Sequence, residues 1–155
     1  MIPDAYLDAM KVEESAALWQ RVLSAGPNRT CTFVTERAGN VVGFASALML
    51  AEPRFDLDAE LSAIYVKADC QRTGVGRRLL RSVVLAQCDL GATGFLTWVI
   101  ARNRGARTFY EALGGELLVE QPFQWDGMDL VEAGYGWRDP DALIRACGPA
   151  PAWQH

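Results

Sequence analysis

"AELSAIYVKADCQRTGVGRRLL", residues 59 to 80, decides the fold. Residues 59 to 67 alternate, with Leu61, Ala63 and Tyr65 on one side and Ser62, Ile64 and Val66 on the other, which predicts a strand. From Val75 the period changes. Val75, Leu79, Leu80, Val83 and Val84 line one side of a helix over 75 to 88, and Arg77, Arg78 and Arg81 keep to the other. Between strand and helix lie Gly74 and Gly76, and the helix opens among Arg72, Arg77 and Arg78. Glycine weakens a helix, and each arginine loses roughly a few tenths of a kcal/mol against the dipole at that end. An anion carrying two or more charges reverses that sign. The first four N–H groups of a helix have no internal acceptor, and glycine lets such a ligand approach them closely. The stretch therefore predicts a strand, a phosphate-holding turn and a helix.

Two nucleotide signatures fail here. A Walker A loop needs a lysine after its last glycine, and none follows. A dinucleotide fingerprint needs a third glycine where Leu79 stands.

Working outward, "FLTWVIA" (95–101) is a near-continuous apolar run of the kind a buried central strand shows. "NRGARTFYEALGG" reads as a short helix, with Phe109 and Leu113 spaced i, i+4 and Gly114-Gly115 as its C-terminal cap. "ELLVEQ" and "LVEAGYGW" read as a closing pair of strands joined by a turn at "PFQWDGMD", and "DPDALIRAC" as a last helical turn or two. On the other side, "TCTFVTER" (30–37) and "VVGFASALMLAE" (41–52) flank "AGN" as a hairpin. Pro53 ends the second run and "RFDLD" is a polar loop. The first 25 residues carry helical spacing that Gly26-Pro27 stops. The expectation is a single α/β domain over 1–147 on one mixed, mostly antiparallel twisted sheet with helices on both faces, followed by a loose tail at 148–155.

The chain has 155 residues, 50% of them hydrophobic and 22% charged, enough for a core without disulfide staples. Cys31, Cys70, Cys88 and Cys147 are scattered, no CxxC pair occurs, and the one histidine is His155. No metal site is expected, and the cysteines read as buried free thiols of a reducing, cytoplasmic setting. No signal peptide and no run long enough to span a membrane is apparent. Net charge is −4, which disfavours nucleic acid as a partner. Residues 67 to 107 hold eight Lys/Arg against Asp69 and Asp89, a net of +6, so the remainder is −10. Such concentration predicts a compact anion bound there.

Gln71-Arg72-x-Gly74-x-Gly76 after a strand resembles the (Q/R)xxGxG/A motif of the Gcn5-related N-acetyltransferase (GNAT) family. The resemblance runs from about residue 30 to 137 and includes the order of elements. It implies acetyl-CoA as the acyl-donor cosubstrate and transfer to a primary amine, with no acyl-enzyme. It further implies that the backbone of Ile64, Tyr65 and Val66 pairs with the pantetheine arm. Gln71, Arg72, Thr73, Gly74, Val75, Gly76 and Arg77 would wrap the pyrophosphate, and Asn103, also a good helix cap, would contact the cofactor. Tyr110 matches the family's general acid near the sulfur; an ordinary phenol pKa of roughly 10 suits protonation of a thiolate of roughly 8.5.

The attacking amine must lose a proton, which a carboxylate removes directly or through water. Glu60 is the candidate base, with Asp56 and Asp58 as rivals that would instead attract a cationic acceptor. Trp98, Phe123, Trp125 and Trp137 are core or pocket wall. Two departures stand out: Ala68 replaces a proline common after the strand, and the family's first strand is missing, so either the start is unusual or the sheet begins one strand short. A second copy of the chain would cover such an edge, making a homodimer an expected partner. The other readings are a non-catalytic coenzyme A sensor on this fold, or a glycine-turn phosphate binder unrelated to acyl transfer. The acceptor, a small-molecule amine or an amino terminus, has no signature.

Overall fold

A computed structural model describes residues 30–71 and 73–148. The expected N-terminal helix, Arg72, the missing-strand question and nearly all of the tail lie outside the described residues. Among the described residues six strands form one sheet in the order β1-β2-β3-β4-β6-β5. They are β1 (Thr30–Arg37), β2 (Asn40–Arg54), β3 (Leu57–Val66), β4 (Phe95–Ile100), β5 (Glu116–Trp125) and β6 (Met128–Trp137). Only β3 and β4 pair in parallel, joined through helix α1 (Val75–Asp89). Helices α2 (Arg104–Ala112) and α3 (Pro140–Ala146) complete the order. The sheet is thus mixed and mostly antiparallel, as the sequence predicts. All three described helices feed one core cluster: Val75, Leu79, Leu80, Val83 and Val84 of α1 meet Tyr110 of α2, Leu143 of α3, and Ala59, Leu61, Phe95 and Val99 of the sheet.

Turn chemistry corrects two sequence expectations. "RFDLD" is a two-residue turn rather than a loop: Phe55 and Asp56 both take positive φ, 53° and 62°, and β2 continues through Pro53 to Arg54. "PFQWDGMD" is mostly strand, because Asp126 and Gly127, at φ 48° and 75°, close the β5–β6 hairpin alone. Positive φ at both central residues matches strand twist, which is why two residues suffice.

The alternation expected for β3 also breaks. Ser46 pairs Ala63 while Ala47 pairs Leu61, so Ser62 is an extra residue, a bulge. The bulge switches faces: Ala59 and Leu61 lie in the core before it, and Ile64 and Val66 pack against the core after it. Tyr65 instead turns to Phe44, with ring centroids 5.9 Å apart.

β3 and β4 pair only at Ala59↔Phe95, Glu60↔Leu96 and Leu61↔Thr97. β3 then runs on to Val66 and β4 to Ile100 without pairing each other. The sheet opens there like a V, with its apex at Leu61 and Thr97.

Candidate active site

The glycine turn is built as an anion cradle. Gly74 caps α1 with φ 86°, a left-handed conformation that suits glycine, and no side chain caps the helix. No acid lies in the first turn, and the first amide to bond back is that of Arg78, to the Gly74 carbonyl at 3.1 Å. The amides ahead of it keep the positive end of a 15-residue helix exposed. The approach from β3 is pinned by Cys70 N donating to the Lys67 carbonyl at 2.8 Å, and by the Thr73 hydroxyl donating to the Cys70 carbonyl.

The arginines divide their work. Arg77 donates through Nη1 to the Ala146 carbonyl at 3.0 Å, so its side chain ties α1 to the end of α3. Arg78 lies over the turn instead: a Cβ added to Gly74 would meet its Nη1 at 3.1 Å. Arg78 thus stands beside the cradle, while Arg77 lies along the groove wall.

From this cradle a groove of about 710 Å³ runs between α1 and α2, with Gln71, Gly74, Gly76 and Arg77 on one wall and Arg104 and Phe109 on the other. Ile64 and Val66 line it at the open edge of β3, whereas the Tyr65 ring faces away. The Gln71 side chain donates to the Val66 carbonyl at 3.1 Å. Val75 is core, 1% exposed, and contributes to the cradle through its backbone. The groove's inner end meets a smaller slot of about 70 Å³ in the V between β3 and β4, lined by Ser62, Thr97, Trp98, Asn103 and Tyr110 among others. A bare helix terminus for phosphate, unpaired strand edge for an amide-bearing arm, and a slot at the apex match the three successive parts of acetyl-CoA.

Asn103 both caps and lines the site. Its Oδ1 accepts from Ala106 N at 3.1 Å, starting α2, while the residue borders slot and groove alike. Tyr110 borders both as well, buried at 5% exposure among Phe109, Tyr135 and Trp137, whose ring centroids lie 5.5, 6.2 and 5.7 Å away. α2, which Asn103 caps and which carries Tyr110, is held by Arg107, which donates to Tyr135 Oη at 3.0 Å, the Ala101 carbonyl at 2.9 Å and Glu120 at 2.8 Å.

Glu60 reaches the apex from the other face. Ala59, Leu61, Phe95 and Val99 face the helices, so strand alternation sends Glu60 and Trp98 to the opposite side. Burial pushes the Glu60 carboxyl above its ordinary range, with Glu132 adding to the rise while Arg54 and a hydrogen bond from Trp98 oppose it. Trp98 lies flat on Gly134, where an added Cβ would come within 2.9 Å of the ring.

Of the rival acids, Asp58 is committed elsewhere. Its carboxylate accepts from Thr93 N at 2.9 Å, Thr93 Oγ1 at 2.9 Å and Gly94 N at 3.1 Å, tying β3 to the start of β4. Asp56 sits in the exposed β2–β3 turn. Sequence reasoning passed over Glu132, a 9% exposed acid that accepts from Gln121 Nε2 at 2.7 Å. Its signal was an acid inside the otherwise apolar run of β6. All four cysteines are free thiols; Cys70 is buried behind the cradle, where its sulfur accepts from Arg37 Nη1 at 3.6 Å. Among the described residues no group of three His, Cys, Asp or Glu is arranged to hold a metal, and no helix is long and apolar enough to cross a membrane.

Cradle, groove and apical slot are continuous, and their residues suit an acyl-coenzyme A. Comparison with known proteins agrees. Residues 28–114 match the acetyltransferase (GNAT) domain model. An uncharacterized N-acetyltransferase of Bacillus subtilis (strain 168), YuaI, is 33% identical over 144 residues, 92% of this chain and 80% of that one. In fold, a ribosomal-protein-alanine N-acetyltransferase from Brucella melitensis is similar with a TM-score of 0.64 at 22% identity, covering 81% of this chain and 77% of that one. So is yncA from Salmonella typhimurium, solved with its cofactor acetyl-CoA, with a TM-score of 0.62 at 19% identity over 83% and 74% of the two chains. The chain belongs to the GNAT acetyltransferase family and is an acetyl-CoA-dependent acyltransferase.

Proposed function

We propose that the chain moves an acetyl group from acetyl-CoA to the primary amine of a small molecule or an amino terminus, by direct attack while both substrates are bound. One observation carries this reading: Tyr110 borders the slot at the strand apex on one face of the sheet and Glu60 stands beside that apex on the other, a phenol and a carboxyl suited to give and to take a proton. Acetyl-CoA supplies an activated acyl group, so the protein's work is positioning and proton transfer.

The amides ahead of Arg78, with Arg78 above them, hold the pyrophosphate, and the open edge of Ile64 to Val66 aligns the pantetheine arm. The acceptor would approach from the Trp98 side, where Glu60 stands. Glu60, its carboxyl raised by burial, takes the proton that the ammonium must lose. As nitrogen bonds to the acyl carbon and the carbon–sulfur bond breaks, Tyr110 gives its proton to the departing sulfur. Cys70 lies behind the cradle, which supports a route without an acyl-enzyme. We place the protein in the cytoplasm, a setting that suits four unpaired cysteines. We further propose a homodimer through β1, which has no second neighbour in the described sheet and exposes Phe33 and Val34. A thiol-release assay with acetyl-CoA and a panel of amines tests the reaction. Release that depends on the amine is the expected result; tight coenzyme A binding without release would instead mark a sensor.

A further inference from the structure

At the acceptor face, Arg54 ends β2 and Phe55 opens the two-residue turn that follows. Between Met49↔Ala59 and Arg54↔Leu57, residues 50 to 53 of β2 face Asp58 alone, so the ladder is interrupted. Phe55 then adopts φ 53°, a left-handed conformation that costs a bulky residue roughly 1–2 kcal/mol. Its carbonyl is held by Arg138 Nη1 at 2.9 Å. This turn brings Arg54 and Phe55 together beside Trp98. The Arg54 guanidinium sits 5.0 Å from the centre of the Trp98 ring and 5.6 Å from that of Phe55. The two rings are 6.5 Å apart.

Arg54 has no carboxylate within ion-pairing distance among the described residues, although its charge is close enough to act on Glu60. Stacking engages the flat face of a guanidinium and leaves its N–H edge, a fork matched to carboxylate, for another partner. Beside the group that would deprotonate an amine there is thus a cation on an aromatic shelf, with no carboxylate partner among the described residues.

Resting on the proposed function, we infer that the acceptor is a free α-amino acid, its amino group at Glu60 and its carboxylate on Arg54, with Trp98 and Phe55 as the wall against its side chain. The amino and carboxylate groups of an α-amino acid share one carbon, so they suit a base and a cation that already interact. Peptide amino termini and plain amines lack that carboxylate.

The test compares kcat/KM, by thiol release, for the free amino acids, their amides and the corresponding decarboxylated amines. It is run with the wild-type chain, Arg54→Gln and Arg54→Lys, each checked for wild-type thermal unfolding and acetyl-CoA binding. A charge-assisted pair predicts a preference of roughly tenfold or more for acid over amide in the wild type. That ratio falls to near one in Arg54→Gln and is partly restored in Arg54→Lys, which keeps the charge without the fork. Amides that match acids in the wild type overturn the inference. So does an Arg54→Gln variant that slows both in proportion, since Arg54 would then only tune Glu60. Turnover with no amine at all removes the proposed function itself, whereas turnover blind to the carboxylate removes this inference alone.

Discussion

Replacing Gly74 by alanine separates the cradle's role in the fold from its role in binding. At φ 86° the new Cβ costs roughly 1–2 kcal/mol in the left-handed region, and the stiffer unfolded chain returns roughly 0.4–1 kcal/mol. The net loss is about 1 kcal/mol, which for a domain of this size lowers Tm by about 2–4 °C. At the site, the Cβ meets Arg78 Nη1 at 3.1 Å, so that flexible group swings aside. Losing one hydrogen bond between charged groups costs roughly 1.5–3 kcal/mol, or a rise of about tenfold to a hundredfold in KM for acetyl-CoA. Gly39→Ala is the control: its φ is 81°, no atom lies within 4 Å of its added Cβ, and it sits in the β1–β2 turn. Thermal unfolding and thiol-release kinetics on both variants decide the matter. Similar stability losses with a KM effect in Gly74→Ala alone are expected. An unchanged KM in Gly74→Ala, or an equal rise in both, would refute the cradle.

Glu60→Gln should lower kcat/KM by roughly a hundredfold or more and abolish the acid limb of the pH–rate profile, because only the ionised carboxylate accepts a proton. That limb should lie above the ordinary carboxylate range, since burial raises the Glu60 pKa. The raised value has the opposite sign for stability: Glu60 favours the fold while protonated, and that contribution is lost as pH rises through its folded pKa. Glu60→Gln should therefore unfold at a higher temperature than wild type at neutral pH, and a lower one would contradict the assignment of burial as the cause. Tyr110→Phe keeps the ring among its aromatic neighbours and should lower kcat by roughly a hundredfold with little change in KM for acetyl-CoA, measured by the same assay. Unchanged turnover removes Tyr110 from the reaction. Asp58→Asn should cost about 1–3 kcal/mol in denaturant unfolding, since three donors converge on that carboxylate, while slowing turnover far less than Glu60→Gln.

The strand, glycine turn and helix were legible because periodicity changes within a few residues, from two at Leu61–Val66 to helical spacing at Val75–Val84. Central strand β4 was legible for the same reason, as an apolar run between turn residues. The Asp126-Gly127 turn carried a readable signal, but the apolar and aromatic residues before it were folded into the loop. The Phe55-Asp56 turn carried none, since phenylalanine does not announce positive φ. The bulge at Ser62 is a property of the ladder, set by its β2 partners, and nothing local marks it. Candidate site residues could be named from the sequence by type and position; their hydrogen-bond commitments could not. Arg77 binds a carbonyl 69 residues away, and Asp58 is consumed by amides 35 and 36 residues away. Such pairings follow from the assembled fold.

The most direct test of the account is steady-state thiol release by the purified chain with acetyl-CoA and primary amines, with mass spectrometry of the acceptor. Release should saturate in both substrates and leave an acceptor heavier by one acetyl group, both lost together in Glu60→Gln. Acetyl-CoA bound in the α1–α2 groove with no acceptor acetylated would contradict it.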